Sequence, residues 1–369
     1  MSSKMKSVNL LLFKFLIAIL LASTTISCNK SDGAVSERHE IAQIISTAGS
    51  IQDSLGSKSC ISYVDSALQG YQLSTLELYK IFTFKNNIYF NYQHNIAKAT
   101  IYADSILLLL KNEPKLSTNQ RLYFAYLLKA DVSYELQRYG QAYEYYAKAK
   151  ELIENGVDRC AETELDFRMG TKCFKEHRYL ESARLFLDLY KESGLCTSDF
   201  TFILRRQESL STAAEAFNNC GLFDSSKYCS KIALSELDTL TALYPNRNAS
   251  IEEARGVSFD NLGNSYRSLE AYDAAEYYYL TGISLLEKIN RNHTQLLQTL
   301  LHLASLYVDQ KDYLKTSKVL KKYDQIVHIS SNKFSYSDSI RLACEYSETH
   351  WKYSFNMGDL KTAITHLKR

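Results

Sequence analysis

The chain of 369 residues is poor in the two residues that interrupt regular secondary structure, since it contains only 2 Pro and 13 Gly. Average usage would give about 18 Pro and about 26 Gly in a chain of this length. The shortage excludes collagen-like, Pro-rich and turn-dense all-β architectures, and it favours long helices. An excess of charge of one sign is also lacking. The formal net charge is +2, so no whole-chain field indicates a nucleic-acid or membrane-surface partner.

The sequence also lacks the motifs of common enzymes and metal sites. It contains no Gly-x-Ser-x-Gly, no phosphate loop and no Gly-x-Gly-x-x-Gly. None of its 8 cysteines form a Cys-x-x-Cys pair, and none of its 8 histidines form a His-x-x-x-His pair. We therefore predict a protein that is not an enzyme and binds neither metal nor cofactor. Its histidines are interpreted as surface or packing residues.

The apolar run near the N-terminus is too short to span a membrane. Lys4 and Lys6 precede an apolar stretch at residues 10–22, which Lys14 interrupts. A spanning helix needs about 20 apolar residues, and no later stretch of the chain approaches that length. A short apolar segment behind a positively charged start is typical of a secretory signal peptide. Small and β-branched residues then lead to Cys28.

The segment before Cys28 resembles a bacterial lipobox, and in particular the looser lipoboxes of the Bacteroidetes that end in Ser-Cys. It departs from the usual pattern at Thr25, where an aliphatic residue is common. The resemblance implies that Cys28 is lipidated and becomes the new N-terminus; the alternative is a plain signal peptide that is cut nearby. We predict a signal peptide over residues 1–27, a tether over 28–37, and an exported protein that this lipid anchors to the bacterial envelope, in the periplasm or at the outer membrane.

One pattern of residues recurs along the chain and decides the predicted architecture. In its clearest copy, the small residues Gly263 and Ala275 stand twelve positions apart, where two antiparallel helices would touch. Leu262, Tyr266 and Tyr279 would fill the space between these helices. The pattern resembles the tetratricopeptide repeat (TPR), a helix–turn–helix unit.

Four further copies are in phase with this one. The small residue of the first helix recurs at intervals of 40 to 49 positions, at Ala130, Gly170, Ala214, Gly263 and Ala304. The minimal repeat has about 34 residues, so the helices or turns are extended here. The resemblance implies an all-α fold, a right-handed α-solenoid of TPR-like helical hairpins. We expect it to cover residues 38–369 with about seven or eight hairpins.

Short motifs resemble a narrower group of proteins. Residues 102–108 (Tyr-Ala-Asp-Ser-Ile-Leu-Leu), the turn at 196–200 and the Arg-Arg-Gln-Glu run at 205–208 are similar to the extracytoplasmic input region of TPR-containing sensor histidine kinases of the Bacteroidetes. In that family a membrane span and a kinase part follow the repeats, whereas no second apolar span and no Asp-x-Gly-x-Gly segment occur here. The resemblance implies a sensory input module for signal transduction without its kinase. The alternative is a free-standing scaffold lipoprotein that organises an envelope complex.

Proteins built from such repeats normally bind partners on the concave face, which the first helices of the hairpins form. The spacing within each hairpin predicts ten polar side chains on that face. They are Asp131, Glu135, Thr171, Lys175, Glu215, Asn218, Asn264, Arg267, Ser305 and Asp309. Because their charges are mixed in sign, we expect a protein or peptide partner and no nucleic acid. The alternative is a merely solvated face.

The positions of two cysteines within one repeat predict a disulfide. Cys160 precedes the first helix of its hairpin and Cys196 follows the second. Antiparallel helices bring those two ends together, and export permits disulfides to persist. We therefore predict a Cys160–Cys196 bond, the alternative being two separate thiols.

The last predicted hairpin is incomplete. It consists of residues 340–357 and 359–369, and Ala363 matches the spacing of the repeat. A solenoid needs a terminal unit with a polar outer face, whereas Ile364 and Leu367 would be exposed here. We therefore expect either that the chain is a fragment of a longer protein or that this end docks on a partner.

Overall fold

A computed structural model describes residues 38–154, 159–194, 200–289, 293–330 and 334–367. These ranges contain sixteen α-helices and no β-strand. Of the helices in these ranges, none is long and apolar enough to cross a membrane. The predicted signal peptide, the tether, Cys28 and Cys196 lie outside the described residues.

By its internal contacts the chain divides into two compact units, of which the first comprises the described part of Leu12–Leu165 and of Asn332–Ser337. Six α-helices pair there into three antiparallel hairpins. They are α1 (His39–Leu55), α2 (Ser57–Ala67), α3 (Thr75–Asn87), α4 (Ile96–Asn112), α5 (Asn119–Glu135) and α6 (Tyr139–Glu154). A π-helical turn at Ile88–Tyr92 extends α3 before the chain reverses.

The second unit comprises the described part of Asp166–Ser331 and of Asp338–Arg369. Its ten helices form five hairpins, in which each odd-numbered helix is the first and each even-numbered helix the second. They are α7 (Arg159–Lys175), α8 (Tyr179–Ser193), α9 (Phe200–Asn219), α10 (Phe223–Leu243), α11 (Asn248–Ser268), α12 (Tyr272–Ile289), α13 (His293–Asp309), α14 (Tyr313–Ser330), α15 (Tyr336–Asn356) and α16 (Leu360–Leu367). The predicted all-α class of TPR-like helical hairpins is confirmed.

The two helices of a hairpin touch where a small residue faces a large side chain. A Cβ atom added at Gly263 on α11 would lie 2.5 Å from the ring of Tyr279 on α12. One added at Gly170 on α7 would lie 3.0 Å from the ring of Phe186 on α8. The second helices carry small residues that are fully buried, namely Ala142, Ser182, Ser226, Ala275 and Thr316. The close helix–helix contact predicted from the repeat pattern is therefore present.

One turn geometry closes six of the hairpins. The residue two positions before the second helix has a left-handed backbone, with φ between 58° and 81°. These residues are Gln137, His177, Gly221, Glu270, Lys311 and Gly358. In each turn the next residue donates its N–H to the carbonyl oxygen five positions earlier at 2.9 Å. This bond is the one that closes a Schellman motif. Four of the six turns place a residue other than glycine in a conformation that costs about 1–2 kcal/mol.

The turn geometry predicts opposite effects for two substitutions in the second unit. Lys311→Gly removes the strain of a side chain at positive φ, so we expect it to raise the free energy of unfolding by about 0.5–1 kcal/mol. Gly221→Ala introduces that strain, and we expect a loss of about 1 kcal/mol. Urea unfolding followed by circular dichroism measures both changes.

Lys318→Gly is the matched control, because Lys318 is an exposed residue inside α14. Glycine within a helix should lower the free energy of unfolding by about 1 kcal/mol. Equal losses for Lys311→Gly and Lys318→Gly would show that the backbone at Lys311 is not strained.

Candidate functional site

Polar side chains connect four successive first helices of the second unit. Hydrogen bonds join α9 to α11, α11 to α13 and α13 to α15. We call this set the first-helix surface. It consists of Glu215, Asn218, Asp260, Asn264, Arg267, His302, Ser305, Asp309, Arg341, Glu345 and Thr349, of which Asp260, Arg341 and Thr349 are buried.

An aspartate–histidine pair lies at the centre of the first-helix surface. The carboxylate oxygens of Asp260 lie 2.9 and 3.0 Å from Nδ1 of His302, and Asp260 is only 1% exposed. Burial lowers the pKa of His302, but the carboxylates of Asp260 and Glu345 outweigh that effect and leave the pKa raised. The pair therefore favours a protonated imidazole next to an ionised carboxylate.

Asn264 links this pair to the hairpin core. Its Nδ2 lies 3.4 Å from Oδ2 of Asp260, and its Oδ1 accepts a hydrogen bond of 2.8 Å from the Tyr279 hydroxyl. The ring of Tyr279 is the one that fills the contact with Gly263. The core of the hairpin thus fixes the orientation of a surface amide.

Glu215 on α9 is a half-buried carboxyl group with an unusual environment. Among the described residues, no hydrogen bond or ion pair to its carboxylate is present. Burial raises the pKa of Glu215 from 4.5 to about 7; Arg341 and His302 oppose the rise, whereas Glu345 and Asp260 add to it. A carboxyl group that titrates near neutral pH is a common property of functional sites.

An ion pair and a pair of hydroxyl groups extend the first-helix surface. Nε and Nη2 of Arg267 on α11 each lie 2.7 Å from Oδ2 of Asp309 on α13. The Ser305 hydroxyl on α13 lies 2.8 Å from the Thr349 hydroxyl on α15. The side chains of Arg267 and Asp309 are 24% and 34% exposed, so both reach solvent.

Below this surface, α9 and α11 are joined by buried polar side chains. The Ser265 hydroxyl can donate its proton at 3.0 Å to Oδ1 of Asn218 on α9 or to Oγ of Ser226 on α10, or at 2.9 Å to the Asn261 carbonyl oxygen on its own helix. Asn261 donates from Nδ2 to the Ser211 carbonyl oxygen at 2.9 Å. We call these contacts the α9–α11 seam. They give Asn218 a structural role besides any contact with a partner.

Six of the ten residues predicted for the concave face belong to the first-helix surface: Glu215, Asn218, Asn264, Arg267, Ser305 and Asp309. Two others are buried, which corrects the expectation that their side chains project into solvent. Asp131 is 3% exposed and accepts a hydrogen bond of 2.6 Å from the Tyr146 hydroxyl. Thr171 is 6% exposed and donates to the Phe167 carbonyl oxygen.

Glu135 is half-buried at the end of α5, and Lys175 is exposed at the end of α7. A binding role for any of the ten residues stays a prediction. Sequence reasoning missed Asp260, His302, Arg341, Glu345 and Thr349. Asp260 stands four positions before the predicted Asn264, and His302 stands three before the predicted Ser305, so helical spacing was the signal that could have found these two. No residue of α15 was predicted, so this signal did not extend to Arg341, Glu345 and Thr349.

Of the two cysteines in the predicted disulfide, one lies among the described residues. Cys160 is disulfide-bonded, whereas Cys196 lies outside the described residues, so the pairing stays a prediction. The other described cysteines are free thiols: Cys60, Cys173, Cys220, Cys229 and Cys344. Among the described residues, no group of three or more His, Cys, Asp and Glu side chains could hold a metal ion.

No protein-family profile matches the chain, and no curated protein matches its sequence. Solved structures match its fold. The chain is similar to a Rap protein complexed with competence and sporulation factor, with 14% identity, coverage of 90% of this chain and 86% of that one, and a TM-score of 0.54. It is also similar to aspartyl phosphate phosphatase F from Bacillus subtilis, with 15% identity, coverage of 92% and 94%, and a TM-score of 0.52.

A third similar structure is a signal transduction ATPase with numerous domains from Pyrococcus horikoshii, which has a TPR sensor. The identity is 16% and the TM-score is 0.53, over 90% of this chain and 53% of that one. At these identities the similarities establish a TPR-like fold alone.

The pKa of Glu215 predicts a pH-dependent effect of its removal. Above about pH 7 the folded protein bears the cost of a desolvated, ionised carboxylate, and this cost disappears as the pH falls towards 4.5. We therefore expect Glu215→Gln to raise the free energy of unfolding by about 1–3 kcal/mol at pH 8 and by much less at pH 5, measured by urea unfolding.

The control is Glu192→Gln, since Glu192 is exposed on α8. Its effect on the free energy of unfolding should not vary with pH. A Glu215→Gln effect of the same size at pH 8 and pH 5 would mean that Glu215 titrates at its ordinary pKa.

Proposed function

We propose that this chain is a non-catalytic module that binds a peptide or an extended protein segment on the first-helix surface. The observation that carries the proposal is the convergence of charged and amide side chains from α9, α11, α13 and α15. Hydrogen bonds hold Asn264, Arg267 and Ser305 in place, so binding does not first have to order these side chains, and a preorganised site loses less entropy on binding. A structurally similar Rap protein forms a complex with competence and sporulation factor, which supports a binding role for this fold.

The chemistry of the surface fits a partner of mixed charge. Arg267 and Asp309 reach solvent, and each can exchange its ion-pair partner for an opposite charge on a bound segment. The half-buried Glu215 adds a hydrogen-bond acceptor when ionised and a donor when protonated. An extended segment offers both backbone polar groups and side-chain charges to such a surface. We propose no catalytic step, since the sequence carries no catalytic motif.

We further propose that the chain is exported, anchored through a lipid on Cys28, and acts as the sensory input part of a signal-transduction system of the histidine-kinase type. The N-terminal pattern and the resemblance of the repeats to kinase input regions support this proposal. The alternative is a free-standing scaffold lipoprotein that organises an envelope complex. Exposure of 50% at Ile364 and 66% at Leu367 on α16 supports docking of this end on a partner.

Binding on the first-helix surface can be tested with peptides selected from a random display library on the full-length chain. We expect Arg267→Gln to raise the dissociation constant of selected peptides about tenfold, because a hydrogen bond to a charged group contributes about 1.5–3 kcal/mol. Isothermal titration calorimetry measures the change.

Lys322→Gln is the matched control, since Lys322 on α14 forms an ion pair with Glu287 on α12 and thus joins neighbouring second helices. This variant should bind like the wild type. Failure to select any peptide, or equal losses of affinity in both variants, would contradict binding at the first-helix surface.

Lipid attachment can be tested by metabolic labelling of the full-length protein with a radioactive fatty acid. We expect Cys28→Ser to lose the label and to leave the membrane fraction, because the lipobox-like segment predicts that the lipid is attached to the Cys28 thiol. The control Cys344→Ser changes an exposed free thiol and should keep the label. Label on Cys28→Ser would show that the chain is not lipidated at this position.

Cross-linking of the native protein in its membrane separates the two cellular roles. Capture of a kinase subunit would support the sensory role, and capture of structural envelope proteins would support the scaffold.

A further inference from the structure

Two imidazole rings stack in the last hairpin. His350 lies on α15 and His366 on α16, with ring centroids 4.7 Å apart and an angle of 24° between the ring planes. The ring of Tyr346 also contacts His350, at 4.4 Å between centroids. Both ring nitrogens of His350 are closed off from solvent, and neither has a hydrogen-bond partner among the described residues.

This arrangement is unusual because a neutral imidazole carries one donor and one acceptor, and leaving buried polar groups unpaired is costly. A protonated imidazole would carry two unpaired donors and a full charge, at a still higher cost. The site therefore tolerates the neutral ring and opposes the charged one.

The groups that face His350 do little to stabilise a protonated imidazole ring. Tyr346 and Tyr353 face it from its own helix, and His366 faces it from α16. From α14, Tyr323 stacks on Tyr346, and the carboxylate of Asp324 acts on the imidazole from a distance. Burial lowers the pKa of His350, His366 lowers it further, and Asp324 opposes the shift without cancelling it.

Most of the helix that carries His366 is open to solvent. Of the eight residues of α16, Ala363 is the one that is buried. Leu360, Ile364 and Leu367 are at least half exposed. The stacked imidazoles are therefore among the contacts that hold this mostly exposed helix against α15.

We propose that the stack of His350 on His366 forms a pH-sensitive latch, which holds α16 against α15 while the His350 ring is neutral and releases it when that ring takes up a proton. The charge would sit on a ring closed off from solvent and without a hydrogen-bond partner in the described part of the chain, next to a second imidazole, so the docked state opposes it. Because the pKa of His350 in the docked state lies below its ordinary value of 6.5, docking is fully stable above pH 6.5 and loses stability as the pH falls below it. Release exposes Tyr346 to solvent or to a partner.

Hydrogen exchange of the full-length chain, read by mass spectrometry, tests the latch. The observable is the protection of the α16 amides at pH 7.5 and 5.5, corrected for the intrinsic pH dependence of exchange. If opening takes up one proton, protection should fall about tenfold between these pH values. His350→Phe retains a stacked ring that cannot titrate, so its protection should not depend on pH.

The control is His328→Gln, because His328 is exposed on the neighbouring α14. This variant should show the wild-type response to pH. The latch would be overturned if protection of the α16 amides in the wild type were the same at pH 7.5 and 5.5, or if it fell tenfold in His350→Phe.

A second measurement covers the case in which His350→Phe fails to dock α16 at pH 7.5. Titration of the His350 ring in the wild type by nuclear magnetic resonance should then give a pKa below 6.5. A pKa at or above 6.5 would overturn the latch on its own.

Discussion

The contact between a small residue on one helix and a large ring on the other is the interaction on which each hairpin depends. At Gly263 the ring of Tyr279 occupies the space that a methyl group would need. The same ring extends its hydroxyl to Asn264 on the surface of the first helix. In the first unit Tyr146 reaches Asp131 in the same way, across the same fifteen positions. Packing inside a hairpin and the orientation of polar groups outside it therefore have a common cause.

Much of the fold follows from local spacing and was accessible from the sequence. Gly263, Ala275 and Tyr279 mark one helix–helix contact within seventeen positions. Because the residues are close in sequence, the pattern can be recognised without knowledge of the rest of the fold. The turns were less accessible. Lys311 and Glu270 adopt positive φ without being glycine, the residue that usually marks this position at the end of a helix.

The candidate site was only partly predictable, because its chemistry depends on contacts between hairpins. Asp260 and His302 are forty-two positions apart and meet only when α11 and α13 pack side by side. His350 was interpreted as a surface or packing residue, and its unpaired nitrogens depend on which rings enclose them. Asp131 was expected in solvent because the periodicity of α5 places it on the first-helix side. It is buried instead, and it accepts a hydrogen bond from Tyr146 on the second helix of its hairpin.

The α9–α11 seam has a consequence for how such a chain can change in evolution. Where neighbouring hairpins meet through aliphatic side chains, as in the cluster that contains Leu286 and Leu300, the contact tolerates other apolar side chains of similar volume. At the seam, by contrast, Asn261 donates to the Ser211 carbonyl oxygen of the neighbouring first helix, and Ser265 can donate to Asn218 there. Loss or duplication of a single hairpin here would separate these donors from their present acceptors. A change in length by whole repeats at this point therefore requires new polar partners as well as new packing.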